Sequence, residues 1–280
     1  MLNNFNPDQY LYHFTTYTTA LEHILPNQTI RFSPFEKTND PRESKNWNFT
    51  LICPTDTNIA SNESFFELQK EANCILKENT KLLCFTRDVV LPSDPLSFIR
   101  GNGFSHPRMW AQYAGNHSGI CLVFDKSKLT KIINDTFAEK GTIYQNHVSY
   151  DSFSEKHGMA FYLNYDDVEN NGIKLSVKNH LDKYINELFF VKMPDWKDEW
   201  ELRYVLFSNQ DKEYEHVKYE DALVRIIIGE DFPNVYETLI VEYCRKYNIS
   251  ASKMAWNNGI PGSVGIYDHK SGISKIRNPF

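Results

Sequence analysis

The chain has 280 residues and a net charge of −6, with 24% charged and 14% aromatic residues. That length can bury a sizeable core in one large domain or two small ones, and the composition excludes a disordered chain. The negative balance excludes broad attraction to nucleic acid or to an anionic membrane through charge alone.

Met1-Leu2-Asn3-Asn4-Phe5 has neither a basic region nor an apolar run, so no signal peptide is expected. The longest apolar stretches, such as Ile120 to Phe124, are too short to cross a bilayer. Cys53, Cys74, Cys84, Cys121 and Cys244 are scattered, odd in number and form no C-x-x-C pair. They read as reduced thiols of a cytoplasmic protein, without a zinc site.

Leu11 to Thr15 predicts a strand. Thr19 and Glu22 have capping-box spacing for a helix with Ala20, Leu21, Ile24 and Leu25 on its apolar face, stopped at Pro26-Asn27. Thr29 to Ser33 predicts the next strand, followed by a polar turn at Thr38-Asn39-Asp40-Pro41-Arg42-Glu43. Ser61 is placed to cap a helix carrying Phe65, Leu68, Ala72, Ile75 and Leu76 at the helical period. Leu82 to Thr86 predicts a strand, Val89 to Gly103 a loop with the character of a lid, and Pro107 the start of a short helix. Strands are expected at Gly119 to Phe124 and Thr142 to Tyr150, then an amphipathic helix from Leu175 to Phe189.

The segment Trp196-Lys197-Asp198-Glu199-Trp200-Glu201-Leu202-Arg203 then runs into strand-forming Tyr204-Val205-Leu206-Phe207. As a strand it places Glu199, Glu201 and Arg203 on one face and Trp200, Leu202 and Tyr204 on the other. Two carboxylates so close raise each other's pKa unless a cation such as Arg203 or Lys197 intervenes. The plain alternative is a solvated strand face laced with ion pairs. A polar connection from Asn209 to Glu220, a strand at Leu223 to Ile228, a helix at Pro233 to Tyr247 and an irregular tail from Asn257 complete the chain.

No histidines stand at H-x-x-x-H or H-x-H spacing, and no G-x-S-x-G, G-x-G-x-x-G or Walker pattern occurs. No metal is therefore expected. Asp195 followed by Glu199-Trp200-Glu201 approaches the acid and E-x-K pattern of metal-dependent nucleases, but Glu201 stands where the lysine is needed. Trp110 and Tyr113, three apart on one helix, pack in a core or wall a planar ligand.

Several short motifs occur in a telling order: Leu11-Tyr12-His13-Phe14, Phe32-Ser33, Asn39-Asp40-Pro41-Arg42-Glu43, Cys84-Phe85-Thr86, Met109-Trp110-Ala111-Gln112-Tyr113-Ala114 with His117-Ser118-Gly119, and Trp196-x-x-Glu199-x-Glu201-x-Arg203. Over roughly residues 10 to 230 they resemble a large bacterial family of unassigned function that carries N-D-P-x-E, M-W-x-x-Y and W-x-x-E-x-E-x-R motifs. More remotely, the His-x-Thr strand, the aromatic-Ser strand and the late E-x-E strand resemble the three core motifs of ADP-ribosyltransferase-like folds.

Strands and helices that do not alternate regularly read as a single α+β domain over residues 1–280, with its core at about 10–250, and that second resemblance implies its finer architecture. Two small, mostly antiparallel sheets flanked by helices would form a cleft for NAD or a related nucleotide. It implies NAD as substrate, an unknown acceptor macromolecule, and a toxin or antiphage-defence setting. His13, with help from Thr15, would bind the adenosine-side ribose, and Ser33 would brace the catalytic acid. Glu201 would bind the 2′-hydroxyl of the nicotinamide ribose, and Glu199 would orient or activate the acceptor. Tyr12, Trp110 or Tyr113 would wall the nicotinamide ring. Asn39, Asp40 and Arg203 would support the site, with Arg203 holding the acid pair in place. Phe32-Ser33-Pro34 departs from the family's Ser-Thr-Ser run, and Pro34 has no N–H to give a strand. A non-catalytic nucleotide sensor or interaction module with the same cleft is the alternative reading, and a metal-dependent nuclease is the third.

Overall fold

A computed structural model describes residues 6–52, 63–151, 155–208 and 213–275. Ser61, read as a helix cap, the N-terminal Met1 to Phe5, and Cys53 lie outside the described residues. The strands are β1 (Tyr10–Thr15), β2 (Thr29–Pro34), β3 (Thr50–Ile52), β4 (Thr80–Arg87), β5 (Ile120–Asp125), β6 (Thr142–His147), β7 (Tyr162–Asn164), β8 (Glu201–Phe207), β9 (Glu215–Lys218), β10 (Leu223–Ile228), β11 (Ser250–Asn257), β12 (Ile260–Asp268) and β13 (Ile273–Ser274). Eleven of them form one sheet in the order β13-β12-β11-β10-β5-β1-β4-β2-β9, with β8 pairing with β4 and β6 pairing with β8. β3 and β7 form a separate parallel pair.

The expected pair of small sheets is thus corrected to one large, forked sheet. The fork is at β4. Along one edge, β8 pairs with β4 from Thr80 to Thr86. Along the other, β1 pairs only at Arg87 and Thr86, and β2 only at Leu82 and Lys81. β1 and β2 splay apart between these registers and continue into β5 and β9 respectively.

Side chains alternate across the sheet, and each face has its own cover. Leu11, Phe85, Phe124, Leu202, Tyr204, Leu206 and Ile226 pack on one face against the helices Lys126–Phe137 and Glu237–Tyr247. The opposite face carries two smaller cores. Leu82, Val205 and Phe207 meet the helices Glu63–Glu78 and Ile173–Phe189. Tyr12, Phe14, Cys121 and Ile227 meet Met109 and Trp110 of the helix Pro107–Tyr113. The fork lies between these two cores.

Several boundaries differ from the sequence reading, each for a local reason. Thr16, not Thr19, caps the first helical segment, its side chain accepting from the Thr19 N–H at 3.2 Å. That segment passes Pro26, which stands in the first turn of Leu25–Asn27, and ends at Gln28 in the left-handed conformation. The polar connection after β8 contains β9, paired with β2, whereas its residues 209–212 lie outside the described ones. The tail expected to be irregular forms β12 and β13, because β11 offers β12 a full antiparallel edge. The helix Lys126–Phe137, capped by Asp125, was absent from the sequence reading.

Candidate functional site

The segment around Glu199 is not one strand. Pro194–Glu199 is a 3-10 helix, Trp200 turns in the left-handed region at φ 44°, and β8 begins at Glu201. Glu199 and Glu201 therefore do not share a strand face, yet the tight turn still brings both into one cavity. The charged face is also not solvated: Glu199, Glu201 and Arg203 are 3%, 4% and 0% exposed. Both faces of β8 are buried, because the helix Ile173–Phe189 and its C-terminal extension cover the face that carries Glu201, Arg203, Val205 and Phe207.

The cavity measures about 260 Å³ and sits in the fork of the sheet. Tyr12, His13 and Phe14 of β1, Arg31, Ser33 and Pro34 of β2, and Leu82 to Thr86 of β4 form its walls. Met109, Tyr113, Asn39, Glu43, Lys192, Glu199, Glu201 and Arg203 complete its lining.

At its inner end, charge is tightly paired. Arg203 Nε donates to Glu201 Oε1 at 2.6 Å and Nη2 to Oε2 at 3.2 Å. Nη1 donates to Phe189 O at 2.7 Å and lies 2.6 Å from Glu43 Oε1. Lys192 Nζ bridges Glu199 Oε2 and Glu201 Oε2, each at 2.8 Å. The Tyr113 hydroxyl donates to Glu199 Oε1 at 2.6 Å. Burial pushes the Glu201 carboxyl pKa up, but Arg203 and Lys192 outweigh it and hold the pKa well below the usual carboxylate range. Burial likewise opposes the Lys192 ammonium, and Glu201, Glu43 and Glu199 together reverse that and raise its pKa. Burial, then Glu201, drives the Cys84 thiol pKa far up, so it faces the cavity as a neutral thiol.

His13 Nδ1 donates to Cys84 O at 3.3 Å, across the gap that β1 leaves on β4. Burial lowers its pKa, so the ring is neutral. The Tyr12 hydroxyl donates to Asp88 Oδ2 at 3.1 Å, and Gly103 N to Asp88 Oδ1 at 2.7 Å, tying the 89–103 loop to β1. Burial pushes the Asp88 pKa up to about 6. Raised from about 3.9 in the unfolded chain, it makes folding more favourable below pH 4 than above 6. Stability worth about 3 kcal/mol is therefore lost as pH rises from about 4 to 6. Measured by thermal unfolding, the stability of wild type relative to Asp88→Asn should fall as pH rises between these values; a difference that does not change with pH would show that Asp88 is not buried as described.

The structure brings together Tyr12, His13, Ser33, Asn39, Tyr113, Glu199, Glu201 and Arg203. Trp110, Thr15 and Asp40 are not in the wall. Trp110 is 0% exposed, packs edge-on to Phe14 with centroids 5.2 Å apart, and donates from Nε1 to Phe104 O at 2.7 Å. It is a core residue packed under β1, whereas Tyr113, at the edge of the same cluster, reaches the cavity. Thr15 is buried where β1 pairs with Ile120, beyond the fork. Asp40 caps the turn Pro41–Ser44, accepting from Arg42 N at 2.9 Å.

Sequence reasoning missed Lys192, Glu43, Cys84, Arg31 and Lys37 as cavity residues. Glu43 and Cys84 lay inside motifs already singled out, whereas Lys192 stands in no motif. Among the described residues no group of three His, Cys, Asp or Glu side chains is arranged to hold a metal ion, and no helix is long and apolar enough to cross a membrane.

No curated protein and no solved structure matches the chain. Residues 109–204, which carry Met109, Tyr113, Lys192, Glu199, Glu201 and Arg203 of the cavity, match the model of a family described as "Protein of unknown function (DUF2971)".

Proposed function

We propose that the cavity binds NAD and that the protein is an ADP-ribosyltransferase-like enzyme, breaking the bond between nicotinamide and ribose. The observation that carries this reading is the convergence of His13, Ser33 and Glu201, from three separate strands, in one cavity. In the reaction the C–N bond breaks, nicotinamide leaves with the electron pair, and positive charge builds on the ribose, as in glycoside hydrolysis. Water or an acceptor group then attacks the same carbon and loses a proton. Fixed carboxylates beside the sugar favour that charge. The volume of about 260 Å³ suits a nicotinamide-ribose part of the ligand more than the whole dinucleotide. Arg31, exposed in the wall, offers positive charge to the diphosphate, beside a Lys37 that is ion-paired with Glu213. The toxin or defence setting and the identity of the acceptor belong to the same proposal, as does a cytoplasmic location.

The test is nicotinamide release from NAD by wild type and by Glu201→Gln. Turnover in wild type and a loss of about 10²–10³ in the variant support the proposal. Neither turnover nor NAD binding in wild type would sink it. A second reading, a nucleotide sensor without turnover, is favoured by the Glu201 carboxylate being held on both oxygens by Arg203 and Lys192. Wild type that binds NAD without product, with binding that survives Glu201→Gln, would decide for the sensor.

A further inference from the structure

The three carboxylates of the cavity differ in how much of their hydrogen-bonding capacity is used. An ionised carboxylate offers about four lone-pair sites. Glu201 receives two donors from Arg203, one from Lys192 and the Cys84 thiol. Glu199 receives Tyr113 and Lys192. Among the described residues Glu43, 0% exposed, has the Arg203 ion pair at Oε1, and its Oε2 accepts no hydrogen bond. A desolvated acceptor left unmade is costly, and native proteins rarely leave one so.

Local structure makes this orientation more telling. Asp40 at the cap and Glu43 three residues on have the spacing of a capping box, in which Glu43 would fold back onto the Asp40 N–H. Glu43 lines the cavity instead. Lys77 Nζ, close by, donates to the main-chain oxygen of Glu43 at 3.0 Å and not to its carboxylate. Around this end of the cavity Asp40, Glu43, Glu199 and Glu201 face Arg42, Lys77, Lys192 and Arg203. Arg42, Lys77, Lys192 and Arg203 each lie close enough to interact electrostatically with Glu43, so Oε2 lacks a donor and not a counter-charge.

We infer that Glu43 is the carboxylate that contacts the occupant, its Oε2 accepting a hydrogen bond from a hydroxyl of the ligand's ribose. The inference rests on the nucleotide reading above. It adds a sugar contact from the Asn-Asp-Pro-Arg-Glu turn to the charge that Glu201 supplies beside the same ribose.

Calorimetric titration of the whole chain tests it, with NAD and with the NAD analogue whose nicotinamide ribose is 2′,3′-dideoxy. Wild type should bind NAD about tenfold or more tightly than the analogue, the range expected for a hydrogen bond to a charged acceptor. Glu43→Gln, checked for an unchanged near-ultraviolet spectrum, should weaken NAD binding by a similar factor and narrow the preference to about twofold or less. Equal NAD affinity in Glu43→Gln overturns the inference while the NAD reading stands. Should the variant not fold, wild type alone decides: equal affinity for NAD and the dideoxy analogue overturns it. Wild type that binds neither removes this inference and the NAD reading together.

Discussion

Arg203→Met is expected to destabilise the fold by about 3–5 kcal/mol, the usual cost of removing one partner from a buried ion pair. The guanidinium is 0% exposed and serves Glu201, Glu43 and the Phe189 carbonyl at once. Met fills much of the same volume, so the loss is chiefly electrostatic: Glu43 loses its direct ion pair, and Glu201 retains that with Lys192. Urea denaturation at neutral pH should show a lower midpoint with an unchanged slope. A solvent-exposed pair would cost at most about 1 kcal/mol. A result in that lower range would show that water reaches this cluster and would restore the plain reading of a solvated strand face.

Trp110→Ala is expected to cost about 3–5 kcal/mol, the range for truncating a buried aromatic residue. The indole has no exposed surface, is wedged edge-on against Phe14, and gives its only donor to Phe104 O. Truncation opens a cavity between β1 and the helix Pro107–Tyr113 and leaves that carbonyl unpaired. The same variant, studied at a temperature where it remains folded, should bind any cavity ligand as wild type does, because Trp110 is not in the wall. A selective loss of ligand binding with little loss of stability would instead make Trp110 a ligand-stacking residue. Tyr113, three positions on, differs because its hydroxyl reaches Glu199 inside the cavity.

Most elements were legible because their signals are local. β1, β2, β4, β5 and β10 follow from short apolar, β-branched and aromatic runs bounded by turn residues, and the helices Glu63–Glu78 and Ile173–Phe189 from their period. What failed has two causes: a partner distant in sequence for β9 and for the cover over β8, and a local signal passed over for β12, which follows β11 across the hairpin turn Asn258-Gly259. β9 is polar and short and exists because β2 lends it an edge. β12 is rich in glycine and is held by β11. The face on which Glu201 and Arg203 lie looked solvated because nothing in the segment itself announces the helical cover from Ile173 to Phe189.

For the site, sequence by itself determined the chemical inventory and the local turns: the acids at 199 and 201, the arginine at 203, the histidine on β1, and the Asp40-Pro41 start that turns Glu43 into a first helical turn. Tertiary structure alone decided which of these meet. The fork where β1 and β2 leave β4 opens the cavity, and no window of sequence encodes it, since it is set by registers among strands up to about 75 residues apart. Lys192 enters from outside every motif and fixes the two acids by bridging them. Burial then changes what the charges mean. In water the same groups form weak, screened pairs, whereas under the helices they become a buried network in which an unused oxygen on Glu43 is an unmet demand.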